Sequence, residues 1–257
     1  MLKVKSIAVL VGTLFILAIS SNQAAVAQST IFNVPTADAI GKEKVHLEFN
    51  YLLQAPAPEA PAGATTPRTS IYLPRAVVGT SGNVEFGTNV SFVNTNGTGR
   101  TDAFFTPNVK WNFYNNEEQG VAASGGGILY TPINNRTGSD TFGMIYSNVS
   151  KKIQATYGPR LTAGAYGIVG STDTQFGGPR AGALLGVEQP IHPRASFVAD
   201  WVSGKNGFGY FTPGVAVSLP KNSQFKLGYS FGNNTYSSVT NRDENNRFLF
   251  VRYGITF

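Results

Sequence analysis

The chain has 257 residues, among them 29 glycines, 18 phenylalanines and 11 tyrosines, with no cysteine, only 13% charged residues and a formal net charge of +6. The missing thiol excludes disulfides, thiolate zinc sites and a cysteine nucleophile, so stability must come from packing or backbone pairing. The positive excess is small and scattered, with no basic cluster to follow a phosphate backbone, which argues against a nucleic-acid partner.

At the N-terminus, Lys3 and Lys5 precede an almost wholly apolar run over 7–19, broken only by Gly12 and Thr13. Polar residues 20–23 follow, then Ala25-Val26-Ala27, a small-x-small site before Gln28. Charge, short apolar run and small-residue site in that order mark residues 1–27 as a secretory signal peptide, cleaved on export. The run is short for a single anchoring helix of ~20 residues, and no cysteine follows it for lipid attachment. Beyond it no apolar run reaches the length of a membrane helix. Residues 29–41, STIFNVPTADAIG, do not alternate and contain Pro35. The stretch 28–42 is therefore expected to be a periplasmic lead-in or a plug tucked into the lumen.

From residue 43 onward alternation with a period of two dominates. Strands are expected at 43–54, 69–79, 83–94, 101–114, 119–131, 140–154, 159–170, 180–189, 194–203, 208–219, 224–232 and 246–257. Each is roughly ten residues long, enough to cross a tilted membrane wall. Between them, short turns alternate with long polar loops such as 55–67, 171–179 and 233–245, as periplasmic turns alternate with extracellular loops in membrane barrels. The connection 204–207 is shorter than its class predicts. An even strand count puts both ends of the barrel chain on the periplasmic side. Residues 43–257 are thus expected to form an all-β fold, an antiparallel up-and-down transmembrane β-barrel of about twelve strands.

The two faces of each strand differ. Phe105, Val109, Trp111 and Phe113 oppose Thr106, Asn108, Lys110 and Asn112. Val84, Phe86, Val90 and Phe92 oppose Glu85, Gly87, Asn89 and Ser91. The second faces are small and polar, with few of the Lys and Glu that a soluble sheet would show to water. In a membrane barrel they face the lumen. By parity the lumen-lining charges are Glu48, Arg75, Glu85, Lys110, Arg180, Glu188, Asp200, Lys226 and Arg252. Their signs are mixed. They either set up a field across an open lumen or pair across a narrow barrel and fill it. Aromatics expected at the membrane interfaces are Tyr51, Trp111, Tyr130, Trp201 and Phe257. The final strand, RFLFVRYGITF, ends on Phe257, and a terminal aromatic of this kind resembles the signal that outer-membrane barrels present to their assembly machinery.

Residues 31–37 (IFNVPTA), 199–204 (ADWVSG) followed by Gly207, and 210–215 (YFTPGV) are similar to segments of uncharacterised porin-like, transporter-like barrels of Gram-negative outer membranes. The resemblance implies a cell outer-membrane location, with lipid and lipopolysaccharide around the barrel, and a channel or transport role; it brings no defined substrate. The leading expectation is a channel or transporter passing small hydrophilic solutes through a narrow mixed-charge lumen. The alternative is a structural or adhesive barrel with a filled lumen and functional extracellular loops. A barrel lipid hydrolase needs a Ser beside a His. Only His46, on the polar face of the first strand, and His192, between Pro190 and Pro193, are present. There is no G-x-S-x-G elbow, Walker loop or metal-binding His pattern, so no catalytic residue, metal or cofactor is expected. A soluble periplasmic β-protein is the remaining alternative.

Overall fold

A computed structural model describes residues 30–56, 68–96, 100–134, 141–170, 178–233 and 246–257. The leader over 1–27 and most of the expected long loops lie outside these residues. Twelve strands follow in chain order: β1 (Val45–Gln54), β2 (Thr69–Gly79), β3 (Val84–Thr95), β4 (Arg100–Asn116), β5 (Val121–Pro132), β6 (Phe142–Lys152), β7 (Arg160–Val169), β8 (Ala181–His192), β9 (Ala195–Val202), β10 (Tyr210–Leu219), β11 (Ser223–Gly232) and β12 (Arg247–Thr256). Each pairs antiparallel with its neighbours in sequence, and β1 also pairs with β12, closing an all-β up-and-down barrel. Closure leaves no unpaired edge. The seam is in register, with Glu48 of β1 opposite Arg75 on one side and Gly254 on the other. Past the last strand, Phe257 continues it through two backbone hydrogen bonds with Val45, at 2.9 and 3.3 Å.

Alternation sets the two surfaces. In β1, His46, Glu48 and Asn50 are buried while Leu47 and Phe49 are exposed. In β12, Phe248, Phe250 and Arg252 are buried while Leu249 and Tyr253 are exposed. The exposed row is largely apolar, with Phe86, Phe105, Ile145, Leu161, Val215 and Leu227 among its members and Ser147 and Lys151 of β6 as exceptions. A protein that buries polar residues and exposes apolar ones has inverted the soluble pattern. Two turns explain why one end of the barrel is compact. Gly82 with Asn83, and Lys221 with Asn222, all have positive φ. Two such residues in succession are what the tightest hairpins require.

The strand bounds differ from expectation in places with identifiable causes. β4 is longer, because a register shift between Asn112 and Tyr114 absorbs an extra residue. β8 continues past Gln189 through Pro190 to His192, where a second irregularity accommodates the proline's missing donor. At its other end β8 begins at Ala181, so Arg180 precedes the strand.

Candidate functional site: the barrel interior

Residues 30–40 run through the interior. Ile31, Phe32, Val34, Thr36, Ala37 and Ile40 are all buried. Such irregular backbone, taken out of water, must find partners for its amides and carbonyls. The barrel supplies them from the faces that parity turned inward. Asp200 Oδ2 on β9 accepts the backbone amides of Phe32, Asn33 and Val34 at 2.8, 2.5 and 2.7 Å. Arg252 on β12 donates to the carbonyls of Thr30, Ile31 and Phe32 at 3.1, 2.9 and 2.6 Å, and to the Thr30 hydroxyl. Lys226 on β11 donates to the Thr30 and Ile31 carbonyls at 2.9 and 2.5 Å. The tip is itself a tight turn, with the Ile31 amide donating to the Val34 carbonyl at 2.9 Å.

Further along, Asn148 on β6 donates to the Pro35 carbonyl and Asn112 on β4 to the Ala37 carbonyl, each at 2.6 Å. Arg160 on β7 grips the Asp38 carboxylate with two nitrogens. Glu85 on β3 accepts the Ile40 amide at 2.9 Å and pairs with Lys110 at 3.0 Å. Partners on β3, β4, β6, β7, β9, β11 and β12 thus surround the segment. Glycines make the room. A Cβ on Gly228 would stand 2.6 Å from the tip of the Phe32 ring, and one on Gly186 would stand 2.2 Å from Ile31 Cδ1. The small inner faces that read as a wet lining are, at these positions, moulds for apolar side chains of residues 30–40.

Of the charges expected in the lumen, Glu48, Glu85, Lys110, Asp200, Lys226 and Arg252 are buried on the inner wall. Glu48 receives Asn50 at 2.7 Å and lies 3.4 Å from Arg252, 3.5 Å from His46 and 3.8 Å from Arg75. Glu188 is half-buried on the inner face, opposite Arg160 in the register. Arg180 departs from expectation. Its side chain is exposed just before β8, and its carbonyl joins the ladder, accepting from Ile168 at 2.7 Å. The preceding Pro179 is drawn toward the connection after β9, where Asn206 donates to its carbonyl at 2.7 Å.

Among the expected interface aromatics, Tyr51 lies on the outer face against Tyr72, ring centroids 5.0 Å apart. Trp111 and Phe257 are exposed, and Trp201 is half-buried, its indole nitrogen donating to Asn233 at 3.0 Å. Tyr130 is a correction. It faces inward, stacked on Phe142 at 4.6 Å and against Phe208 at 5.3 Å. Its parity is that of Ser124 and Ile128, which are also inside, so the long-loop end of the lumen has an apolar lining that residue type alone assigned to the interface.

Phe208 and Asn206 carry no sequence signal of their own. Asn206 is fully buried and bridges the Tyr166 hydroxyl and the Pro179 carbonyl. It folds the connection 203–209 over the mouth and delivers Phe208 to the aromatic cluster. The shortness of that connection was the available signal. Between this connection and residues 30–35 lies a cavity of about 320 Å³. Apolar side chains such as Leu52, Tyr130, Met144 and Phe250 line part of it, and Arg75, Asn89, Thr106 and Asn108 line another part.

No protein-family model matches the sequence, and no curated protein does. Solved structures do. The COG4313 outer membrane channel from Pseudomonas putida F1 superposes with a TM-score of 0.58 at 14% identity, over 86% of this chain and 98% of that one. The transport unit of the autotransporter AIDA-I from Escherichia coli gives a TM-score of 0.39 at 8% identity, over 83% and 89% of the two chains. At these identities the likeness to the first is one of fold.

Proposed function

We propose that the chain is a channel of the Gram-negative outer membrane whose lumen is closed by its own residues 30–40, exposed to the periplasmic side once the leader is removed. The observation that carries this reading is the hydrogen-bonded seat of that segment. Charged side chains from several strands hold a single irregular segment at the centre of a barrel whose outer face is apolar. A wall built only for stability would be simpler with an apolar filling, since buried ion pairs add little to stability. A hydrogen-bonded segment can leave, because water takes over its bonds. Small solutes would then pass along the polar inner faces, sorted by width and charge. No step of this role is catalytic. Phe257, exposed beyond β12, is the residue offered to the assembly machinery, and lipid and lipopolysaccharide surround the wall.

The test uses the absence of cysteine. Asn33→Cys gives one thiol at the tip of the segment. In planar bilayers the refolded chain is expected to conduct in infrequent events. A water-soluble maleimide applied from the periplasmic side is expected to label the introduced thiol only slowly, and to prolong the events once attached. A verified barrel without conductance, and with that thiol permanently protected, would instead support the structural or adhesive reading. That reading is favoured by one observation, the degree to which residues 30–40 fill the described lumen.

The membrane itself is tested on the outer face. Val215, midway along β10, is exposed between Leu227 and Phe197 in the register. Val215→Lys is expected to cost about 2–4 kcal/mol of stability in lipid, as a cation near the midplane does. If water bathed this face, the change would fall within roughly 0.5 kcal/mol, as surface substitutions do. Urea titration of the barrel in vesicles reads the difference.

A further inference from the structure

Residues 30–40 carry a single charged side chain, Asp38. Arg160 of β7 holds it through both terminal guanidinium nitrogens, Nη1 on Oδ2 and Nη2 at 2.7 Å from Oδ1. The pair is partly covered, with 20% of the Arg160 side chain and 33% of the Asp38 side chain exposed. When the segment leaves the lumen, Asp38 leaves with it and Arg160 stays on the wall. A partly covered cation without a counter-charge draws its partner back.

The wall holds a substitute. Glu188 of β8 stands directly opposite Arg160 in the antiparallel register, half-buried on the same inner face. Side chains opposed in this way start about 5 Å apart at Cβ. Arg160 therefore reaches Glu188 by turning its own side chain, with no change in the ladder. While the segment is seated, the Glu188 carboxylate makes no hydrogen bond or ion pair among the described residues. The charges that bear on it are Lys226, Arg160, Asp38 and Lys152, and of these Asp38 repels it. Arg160 itself is only partly answered, because its Nε is buried and has no hydrogen-bond partner. A buried donor left unmet asks for an explanation. The guanidinium is a rigid fork of five N–H groups, and the grip on Asp38 leaves the Nε–H unused.

We infer that Arg160 is a two-position latch: it holds Asp38 while residues 30–40 are seated and passes to Glu188, through Nε and one terminal nitrogen, when they leave. The inference deepens the proposed closure of the lumen and rests on that reading. Glu188 then favours release in two ways. It repels Asp38 in the closed barrel and receives Arg160 in the open one. Lys226, which also bears on Glu188, gives up the Thr30 and Ile31 carbonyls on release, so the same carboxylate faces two freed cations. A carboxylate placed only to brace the wall would favour neither state.

The full chain carrying Asn33→Cys, refolded in detergent, is reacted with a dilute water-soluble maleimide, so that the labelling rate follows the released population. Glu188→Gln in this background is expected to slow labelling by about tenfold, because the released state alone loses a charged partner for Arg160. Asp38→Asn is expected to speed it by about the same factor. In the Asp38→Asn chain Arg160 passes to Glu188 even while the segment is seated, so adding Glu188→Gln should change the rate little. All variants should keep the heat-modifiable gel mobility of the parent barrel. A Glu188→Gln chain that labels as fast as its parent, or faster, overturns the latch. So does a slowing that persists in full in the Asp38→Asn chain, and so does a thiol protected in every variant. Since labelling is read without a membrane, a chain that follows the expected pattern but never conducts would defeat the channel reading and leave the latch standing.

Discussion

Asp200→Asn is expected to turn a barrel that conducts in rare events into one that conducts for much of the time. Three backbone amides of residues 32–34 converge on one carboxylate oxygen within 2.8 Å. Hydrogen bonds to a charged acceptor contribute ~1.5–3 kcal/mol each, against about 1 kcal/mol for neutral ones. Neutralising the acceptor therefore weakens the seat by roughly 2–5 kcal/mol if all three bonds persist in weaker form. Each 1.4 kcal/mol is tenfold, so the released fraction should rise by roughly two orders of magnitude. The effect is confined to the segment, because the ladder that closes the barrel does not involve the Asp200 side chain. The change should appear as a large gain in open time, and in the Asn33→Cys background as a similarly accelerated maleimide reaction, with little change in the unfolding midpoint. Unchanged open time with unchanged labelling would mean that these three bonds do not keep the lumen closed.

How far such a seat is legible in sequence follows from particular residues. Period-two alternation places Glu48, Glu85, Lys110, Asp200, Lys226 and Arg252 inside, because one strand residue in two must face inward whatever the barrel holds. It cannot say what they meet there. Residues 30–40 show no periodicity, since their order comes from wall residues between about 45 and 220 positions away in the chain. Their partners are separate inward residues on different strands, each unremarkable alone. Tyr130 is misplaced by sequence because residue type outweighs parity there. The inner wall at the long-loop end is apolar, and an aromatic there serves a cavity as readily as an interface. Arg180 stands one residue before β8, exposed at the end of the wall, where alternation alone does not fix how far a side chain is covered. Local pattern carries the wall; the filling depends on long-range pairings that no window of sequence contains.

Arg252→Met is expected to cost more stability than Asp200→Asn and to open the lumen as well. The guanidinium donates to three carbonyls of residues 30–32, to the Thr30 hydroxyl and to Asn50, and it lies 3.4 Å from Glu48. Its loss frees the segment on the carbonyl side and leaves the Glu48 charge short of compensation in the interior. Removing one partner of a buried pair typically costs ~3–5 kcal/mol, most of it from the charge left behind. The two consequences separate in double variants. Adding Glu48→Gln removes the stranded charge, so the urea midpoint should recover by more than half while conductance stays high. Adding Asp200→Asn should raise open time by less than the product of the single effects, because both side chains hold the same few residues and a segment already released cannot be released again. If Glu48→Gln instead restored closure, Arg252 would act on the lumen through the Glu48 charge rather than through the segment. If the two opening effects multiplied in full, Asp200 and Arg252 would be holding independent gates.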